Sequence, residues 1–111
     1  MTAKRVVVVI PAYNEERTIV EVIRGLKQRG FTTLIVVDDG SSDRTGELAS
    51  GEGVIRLRHI MNRGLGGALG TGISAAVRLG AEVIVTFDAD SRAIALEQLP
   101  KSVDSTSGHG D

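Results

Sequence analysis

The chain has 111 residues, of which 41% are hydrophobic and 24% charged, a composition typical of a single globular domain and unlike that of a disordered chain. Its formal net charge of −1 excludes a general attraction to nucleic acid or to an anionic membrane. Cysteine is absent, which excludes disulfides and cysteine-ligated zinc and suits a reducing, cytoplasmic compartment. Since no run approaches the roughly 20 apolar residues that cross a bilayer, we expect no transmembrane segment in this chain.

The first predicted elements are a buried strand and an amphipathic helix. Residues 6–10 form a continuous β-branched run, which is typical of a parallel strand buried on both faces, and Pro11 is expected to end it. Hydrophobic residues recur at helical spacing over 19–26, and Thr18 and Glu21 have the spacing of a capping box.

The same patterns continue along the chain. They predict strands at 34–37, 54–57 and 83–87 and helices at 43–49 and 68–79. Strands that alternate with helices make right-handed crossovers and an α/β fold with a mostly parallel sheet, and ligands of such sheets bind at the carboxyl ends of the strands. From Ser91 the pattern decays, so we expect a domain over 1–90 and a divergent, disordered tail over 91–111.

Two aspartates follow the last predicted strand. Asp88 and Asp90 are two residues apart, so both carboxylates can lie on the same side of the exit loop. Mg²⁺ and Mn²⁺ take oxygen ligands, commonly one or two carboxylates together with substrate phosphates. The pair is therefore a candidate metal site. The alternative is a solvated turn, because Asp-x-Asp also occurs often by chance.

A second acidic pair, Asp38 and Asp39, ends the second predicted strand. A parallel sheet brings this pair to the same edge as Asp88 and Asp90. Four acids at one edge raise one another's pKa values unless a cation or hydrogen-bond donors offset the repulsion, which indicates a ligand there. Simple turn chemistry is the alternative, since Asp-Gly and Ser-Ser favour turns.

Residues 62–67 form a glycine-rich loop before a predicted helix, where backbone amides and the helix dipole can face an anion. Contact with a phosphate and close packing of helix on strand explain these glycines equally well. The stretch lacks the Gly-Lys-Ser/Thr of a P-loop and the glycine spacing of the dinucleotide fingerprint. His59 and His109 have no evident partner, so we expect neither to be catalytic.

Four segments share their order and spacing with a known family. They are Val-Ile-Pro-Ala-Tyr-Asn-Glu at 9–15, Val-Val-Asp-Asp-Gly-Ser-Ser-Asp at 36–43, Asn-Arg-Gly-Leu-Gly-Gly-Ala at 62–68 and Phe-Asp-Ala-Asp at 87–90. Together they resemble the family 2 glycosyltransferases, which have the Rossmann-like GT-A fold. The resemblance is closest to the N-terminal half of dolichol-phosphate mannose synthase and related polyprenyl-phosphate glycosyltransferases.

This resemblance implies transfer of a sugar, with inversion, from a UDP- or GDP-linked donor to an acceptor such as a polyprenyl phosphate. It also implies that seven residues bind the donor, with Asp39 on the base: Pro11, Tyr13, Glu15, Asp38, Asp39, Arg63 and Gly64. Asp88 and Asp90 would hold Mg²⁺ or Mn²⁺ against the diphosphate. A lipid acceptor would place the protein at the cytoplasmic face of a membrane. The catalytic base, the nucleobase, the sugar and the acceptor stay open.

The sequence departs from the family pattern after Asp90. Ser91 and Arg92 stand where the family usually continues with Gly and Gln, and no counterpart of its acceptor half follows. We therefore expect a domain truncated by a frameshift or premature stop, with exposed edges that favour self-association. A noncatalytic nucleotide-binding or assembly module is the alternative. A phosphoacceptor receiver domain is disfavoured, because a full strand and helix precede the acid pair at 38–39.

Overall fold

The structure, a computed structural model, describes residues 4–90, and the predicted tail at 91–111 lies outside them. Strands and helices alternate throughout this part of the chain. In order, the elements are β1 Val6–Ala12, α1 Ile19–Gln28, β2 Leu34–Asp38, α2 Thr45–Ser50, β3 Ile55–Arg58, α3 Gly64–Arg78 and β4 Val83–Thr86. None of the helices formed by residues 4–90 is both long and apolar enough to cross a membrane.

The strands form one parallel sheet in the order β3-β2-β1-β4. β1 pairs with β2 on one side and with β4 on the other. The predicted α/β fold with a parallel sheet is therefore confirmed. The chain winds outward from β1 to β3 and then returns to place β4 against the free side of β1. This reversal creates a switch point between β1 and β4, where open parallel sheets bind their ligands.

The two faces of the sheet bury separate apolar clusters, because successive side chains of a strand point to opposite faces. On one face Val8, Ile10 and Val36 pack with residues of α1 and α2. On the other face the intervening strand residues pack against α3. Helix α3 lies very close to the sheet at Gly72, where a Cβ atom would come within 2.2 Å of Val9 Cγ1.

Strand β1 continues past the boundary predicted at Pro11. The carbonyl oxygen of Pro11 accepts a hydrogen bond of 3.4 Å from the backbone N–H of Ala89, so the proline nitrogen faces the β4 side of the strand. Pairing with β4 already ends at Val9 and Thr86. The missing N–H of proline leaves no donor to β4 at this position, which accounts for the end of the pairing.

The predicted capping box at the start of α1 is wrong. Thr18 does precede the helix, but its side chain makes no cap hydrogen bond. The hydroxyl instead donates to the carbonyl oxygen of Ala89 at 2.9 Å, which ties the start of α1 to the segment after β4. A contact between residues 71 positions apart has replaced a local one.

Helix α3 begins at Gly64, four residues before the predicted start, so the last four residues of the glycine-rich stretch are helix and not loop. The first N–H groups of a helix have no partner within the helix. Here the carboxylate of Asp39 accepts hydrogen bonds from the N–H groups of Arg63 and Gly64, each at 2.9 Å. The side chain of the residue that directly follows β2 thus satisfies this end of the helix from outside.

Candidate functional site

A cavity of about 210 Å³ lies at the carboxyl edge of the sheet, beside the switch point between β1 and β4. The first turn of α3 forms one of its walls. Its lining residues are Pro11, Ala12, Tyr13, Glu15, Asp39, Asn62, Gly64, Leu65, Ala68 and Asp88. Six of the nine residues predicted to bind the donor or the metal are among them. Asp38, Arg63 and Asp90 are not.

Asp39 is the buried acid of this cavity, with 4% of its surface exposed. One carboxylate oxygen, Oδ1, accepts the N–H of Arg63 at 2.9 Å and lies 2.7 Å from Nδ1 of His59. The other, Oδ2, accepts the N–H of Gly64 at 2.9 Å. Burial by itself would raise the pKa of Asp39, but these hydrogen bonds outweigh it and lower the pKa. Asp39 is therefore a carboxylate at neutral pH.

His59 has two partners, contrary to the expectation from sequence. Its ring is buried between Asp39 and Thr71, with Nδ1 on the aspartate and Nε2 2.8 Å from the threonine hydroxyl. Sequence reasoning missed this residue because its partners lie 20 and 12 positions away, at the end of β2 and within α3. Only its position directly after a strand hinted at a place near the site.

Asp38 turns away from the cavity. Its Oδ1 accepts the N–H of Ser41 at 3.0 Å, and a Cβ atom at Gly46 would come within 2.4 Å of its Oδ2. The reason is the alternation of the strand, which sends Asp38 and Asp39 to opposite faces. The four acids that were expected to meet at one edge are therefore separated, because Asp38 lies on the α2 face of the sheet.

Gly40 brings the two loops of the site into contact. Its φ is +78°, and a Cβ atom here would lie 2.6 Å from the backbone nitrogen of Asn62 and 2.7 Å from the carbonyl carbon of Met61. Both the left-handed conformation and the close approach require glycine. This contact holds the loop before α3 against Asp39, where its N–H groups reach the carboxylate.

The loop after β1 is fixed to the loop after β2. Asn14, which has a φ of 52°, donates its N–H to Ser41 Oγ at 2.9 Å and accepts the N–H of Ser42 at 2.9 Å. The N–H of Glu15 donates to Thr45 Oγ1 at 2.8 Å. Hydrogen bonds within the protein thus hold the loops after β1 and β2 together.

Asp88 and Asp90 stand exposed beyond β4, and the N–H of Asp90 donates to Asp88 Oδ1 at 3.0 Å. Burial raises the pKa of Glu15, and the negative charges of Asp90, Asp88 and Asp43 raise it further, so acidic groups converge at this end of the cavity. Within residues 4–90, no three or more His, Asp or Glu side chains are grouped to enclose a metal. The donor set fits Mg²⁺ or Mn²⁺ held by one or two carboxylates and completed by ligand oxygens.

Comparison with known proteins identifies the family. Residues 7–105 match the family model described as "Glycosyl transferase family 2". The chain belongs to this family. Its membership confirms the predicted resemblance and, with the parallel sheet, the predicted GT-A fold of the family 2 glycosyltransferases.

Several known proteins are similar in sequence. An uncharacterized protein of Methanocaldococcus jannaschii is 56% identical, over 77% of this chain and 35% of its own. A UDP-N-acetylglucosamine–dolichyl-phosphate N-acetylglucosaminyltransferase of Methanococcus voltae is 37% identical, over 83% of this chain and 43% of its own. The polyprenol monophosphomannose synthase of Mycolicibacterium smegmatis is 34% identical, over 97% and 43%.

A solved structure is also similar. It is the glucosyl-3-phosphoglycerate synthase of Mycobacterium tuberculosis in complex with Mn²⁺, uridine diphosphate and phosphoglyceric acid, with a TM-score of 0.68 and 30% identity over 78% of this chain and 33% of that chain. The same enzyme has been solved with Mg²⁺ and uridine diphosphate. This family 2 chain thus spans between 33% and 43% of the length of these four relatives.

Proposed function

We propose that this chain forms the donor-binding part of a glycosyltransferase and holds a nucleoside-diphosphate sugar at the carboxyl edge of its sheet. The observation that carries the proposal is the state of Asp39. A carboxylate has about four acceptor positions, and N–H groups of His59, Arg63 and Gly64 fill three of them. One position, on Oδ2, is left for a donor on a ligand in the cavity.

Because this free position on Asp39 is an acceptor, it favours bases whose ring nitrogen carries a hydrogen. Uracil N3 and guanine N1 carry a hydrogen and can donate to Asp39, whereas cytosine N3 and adenine N1 only accept. We therefore propose a UDP- or GDP-linked donor. Tyr13, which is 47% exposed, and Leu65, which is 57% exposed, flank the mouth of the cavity and offer apolar surface to the base. Pro11 and Gly64 contribute walls of the cavity, and Arg63 contributes its backbone N–H to Asp39.

The diphosphate would lie toward Asp88 and Asp90, which are proposed to hold Mg²⁺ or Mn²⁺. When bound, such a cation neutralises the negative charge that develops on the departing diphosphate. The chain's own contribution is to keep the two carboxylates adjacent, through the hydrogen bond from the N–H of Asp90 to Asp88. Glu15 adds a third negative charge nearby. The names of two relatives support a polyprenyl phosphate as acceptor. With such a lipid acceptor, we propose that transfer takes place at the cytoplasmic face of a membrane.

Isothermal titration tests the proposal. UDP-N-acetylglucosamine, UDP-glucose and GDP-mannose are titrated into the 111-residue chain with and without Mn²⁺. We expect binding of at least one donor that requires the cation and is lost in Asp90→Ala. The matched control is Glu21→Gln, which removes an exposed acid of α1 and should bind as the wild type does. Absence of binding under every condition would refute the proposal.

Turnover is measured separately, as release of nucleoside diphosphate in the presence of a polyprenyl phosphate. Release that depends on both the cation and the acceptor supports transfer by this chain. Cation-dependent binding without release would favour the noncatalytic nucleotide-binding module instead.

A further inference from the structure

We propose that His59 is a positioning residue of the nucleotide pocket, which fixes the carboxylate of Asp39 so that a single acceptor position faces the ligand. The inference rests on the proposed function, because the ligand concerned is the nucleobase. The resemblance to the family assigns no role to His59, and in the proposed function His59 only fills one acceptor position of Asp39.

The geometry places His59 at a junction of three elements. Its backbone N–H donates to the carbonyl oxygen of Asp38 at 2.9 Å, which anchors it beside the end of β2. Its ring, with the residue only 7% exposed, reaches Asp39 through Nδ1 at 2.7 Å and Thr71 of α3 through Nε2 at 2.8 Å. Both ring nitrogens of a buried histidine are therefore satisfied by side chains of the site and of its supporting helix.

The partners dictate where the ring carries its proton. The carboxylate of Asp39 can only accept, so Nδ1 of His59 must be the donor. In the neutral ring Nε2 then has a lone pair, which accepts the hydrogen of the Thr71 hydroxyl. Asp39 thus selects the tautomer, and the Thr71 hydroxyl pairs with the nitrogen that this tautomer leaves bare. The chain of bonds runs from α3 through His59 to the acceptor that would read the base.

The consequence concerns specificity as well as affinity. Without the Nδ1 donor, Asp39 keeps one backbone N–H on each oxygen, from Arg63 and from Gly64. An acceptor position then opens on Oδ1 in addition to the one on Oδ2. Water or a ligand group can occupy either, so the carboxylate no longer presents one defined acceptor to the base. We expect weaker binding and poorer discrimination between bases.

Two variants of His59 separate positioning from simple packing. An asparagine amide reaches the place of Nδ1, whereas a glutamine amide reaches the place of Nε2. His59→Asn should retain a donor to Asp39 and bind nucleotide nearly as the wild type does. His59→Gln should lose that donor and bind about tenfold or more weakly, the usual effect of losing a hydrogen bond to a charged group. The ratio of UDP to CDP affinity should fall only in His59→Gln.

Thr71 offers an independent pair of variants. Thr71→Ser keeps the hydroxyl and should bind as the wild type does, whereas Thr71→Val removes it and should bind more weakly, with a lower ratio of UDP to CDP affinity. In the free wild type, nitrogen NMR should show a proton on Nδ1. Equal binding by the asparagine and glutamine variants, or by the serine and valine variants, would overturn the inference, as would a bare Nδ1. A wild type that binds no nucleotide would instead refute the proposed function.

Discussion

Gly40 holds the loop before α3 against Asp39, so Gly40→Ala tests how far the candidate site depends on this contact. Gly53 provides the control, since both glycines are left-handed, with φ of +78° and +74°. Alanine in this conformation costs about 1 to 2 kcal/mol at either position. At Gly53 nothing but the flexible Lys27 Nζ, 3.7 Å away, approaches the new Cβ atom, so Gly53→Ala should lose only that amount.

Gly40→Ala adds a collision. The Cβ atom would stand 2.6 Å from the backbone nitrogen of Asn62, and backbone cannot rotate away as a side chain can. Overpacking of this kind costs about 1 to 3 kcal/mol. Relief requires the loop before α3 to move, which pulls the N–H groups of Arg63 and Gly64 from Asp39. We therefore expect a total loss of about 3 kcal/mol or more for Gly40→Ala.

Urea denaturation followed by circular dichroism measures both losses, and titration with UDP-sugar and Mn²⁺ measures their effect on the site. Gly40→Ala should also weaken nucleotide binding, while Gly53→Ala should leave it unchanged. Equal destabilisation of the two variants, or normal binding by Gly40→Ala, would refute the reasoning that links this glycine to Asp39.

Three further predictions follow from the packing and the charges. Gly72→Ala should destabilise the fold by about 1 to 3 kcal/mol in urea denaturation, because α3 touches Val9 there. Gly70→Ala, in open space on the same helix, should stabilise the fold by up to about 1 kcal/mol. The reverse order of stabilities would contradict the packing. The lowered pKa of Asp39 stabilises the fold fully above the ordinary value of 3.8, and this contribution is lost as pH falls through the lower folded-state pKa; Asp39→Asn should flatten that part of the stability profile against pH. The pKa of Glu15 is raised from 4.5, so its stabilising contribution is lost as pH rises through the higher folded-state pKa. Glu15→Gln should therefore have a higher melting temperature than the wild type at pH 7, and Mn²⁺ should reduce the difference.

The sheet was predictable from sequence because its signals are local. The β-branched run after Arg5 and the run Leu-Ile-Val-Val at 34–37 are both typical of strands in a sheet that is buried on both faces. Element ends were harder, since long-range contacts decide them. Thr18 gives its hydroxyl to Ala89, and the first turn of α3 is completed by Asp39 from 25 positions away.

The same distinction between local signals and long-range contacts applies to the site. Asp39 and Asp88 were found because strand ends of a parallel sheet converge. Asp38 is placed on the other face, which strict alternation along β2 would have indicated. The partners of His59 lie on two other elements, so no spacing in the sequence reveals them. The roles assigned to Asp88 and Asp90 remain predictions that metal titration decides.

We propose that Asp39 presents its one free acceptor position to a ring N–H of the base, which uracil and guanine carry and cytosine and adenine lack. The most direct test compares the affinities of UDP with CDP, and of GDP with ADP, for the wild type and for Asp39→Asn in the presence of Mn²⁺. The wild type should prefer UDP over CDP or GDP over ADP, and Asp39→Asn should lose that preference because its amide offers hydrogens in place of an acceptor. A wild type that binds both members of each pair equally, or binds none, would contradict the account.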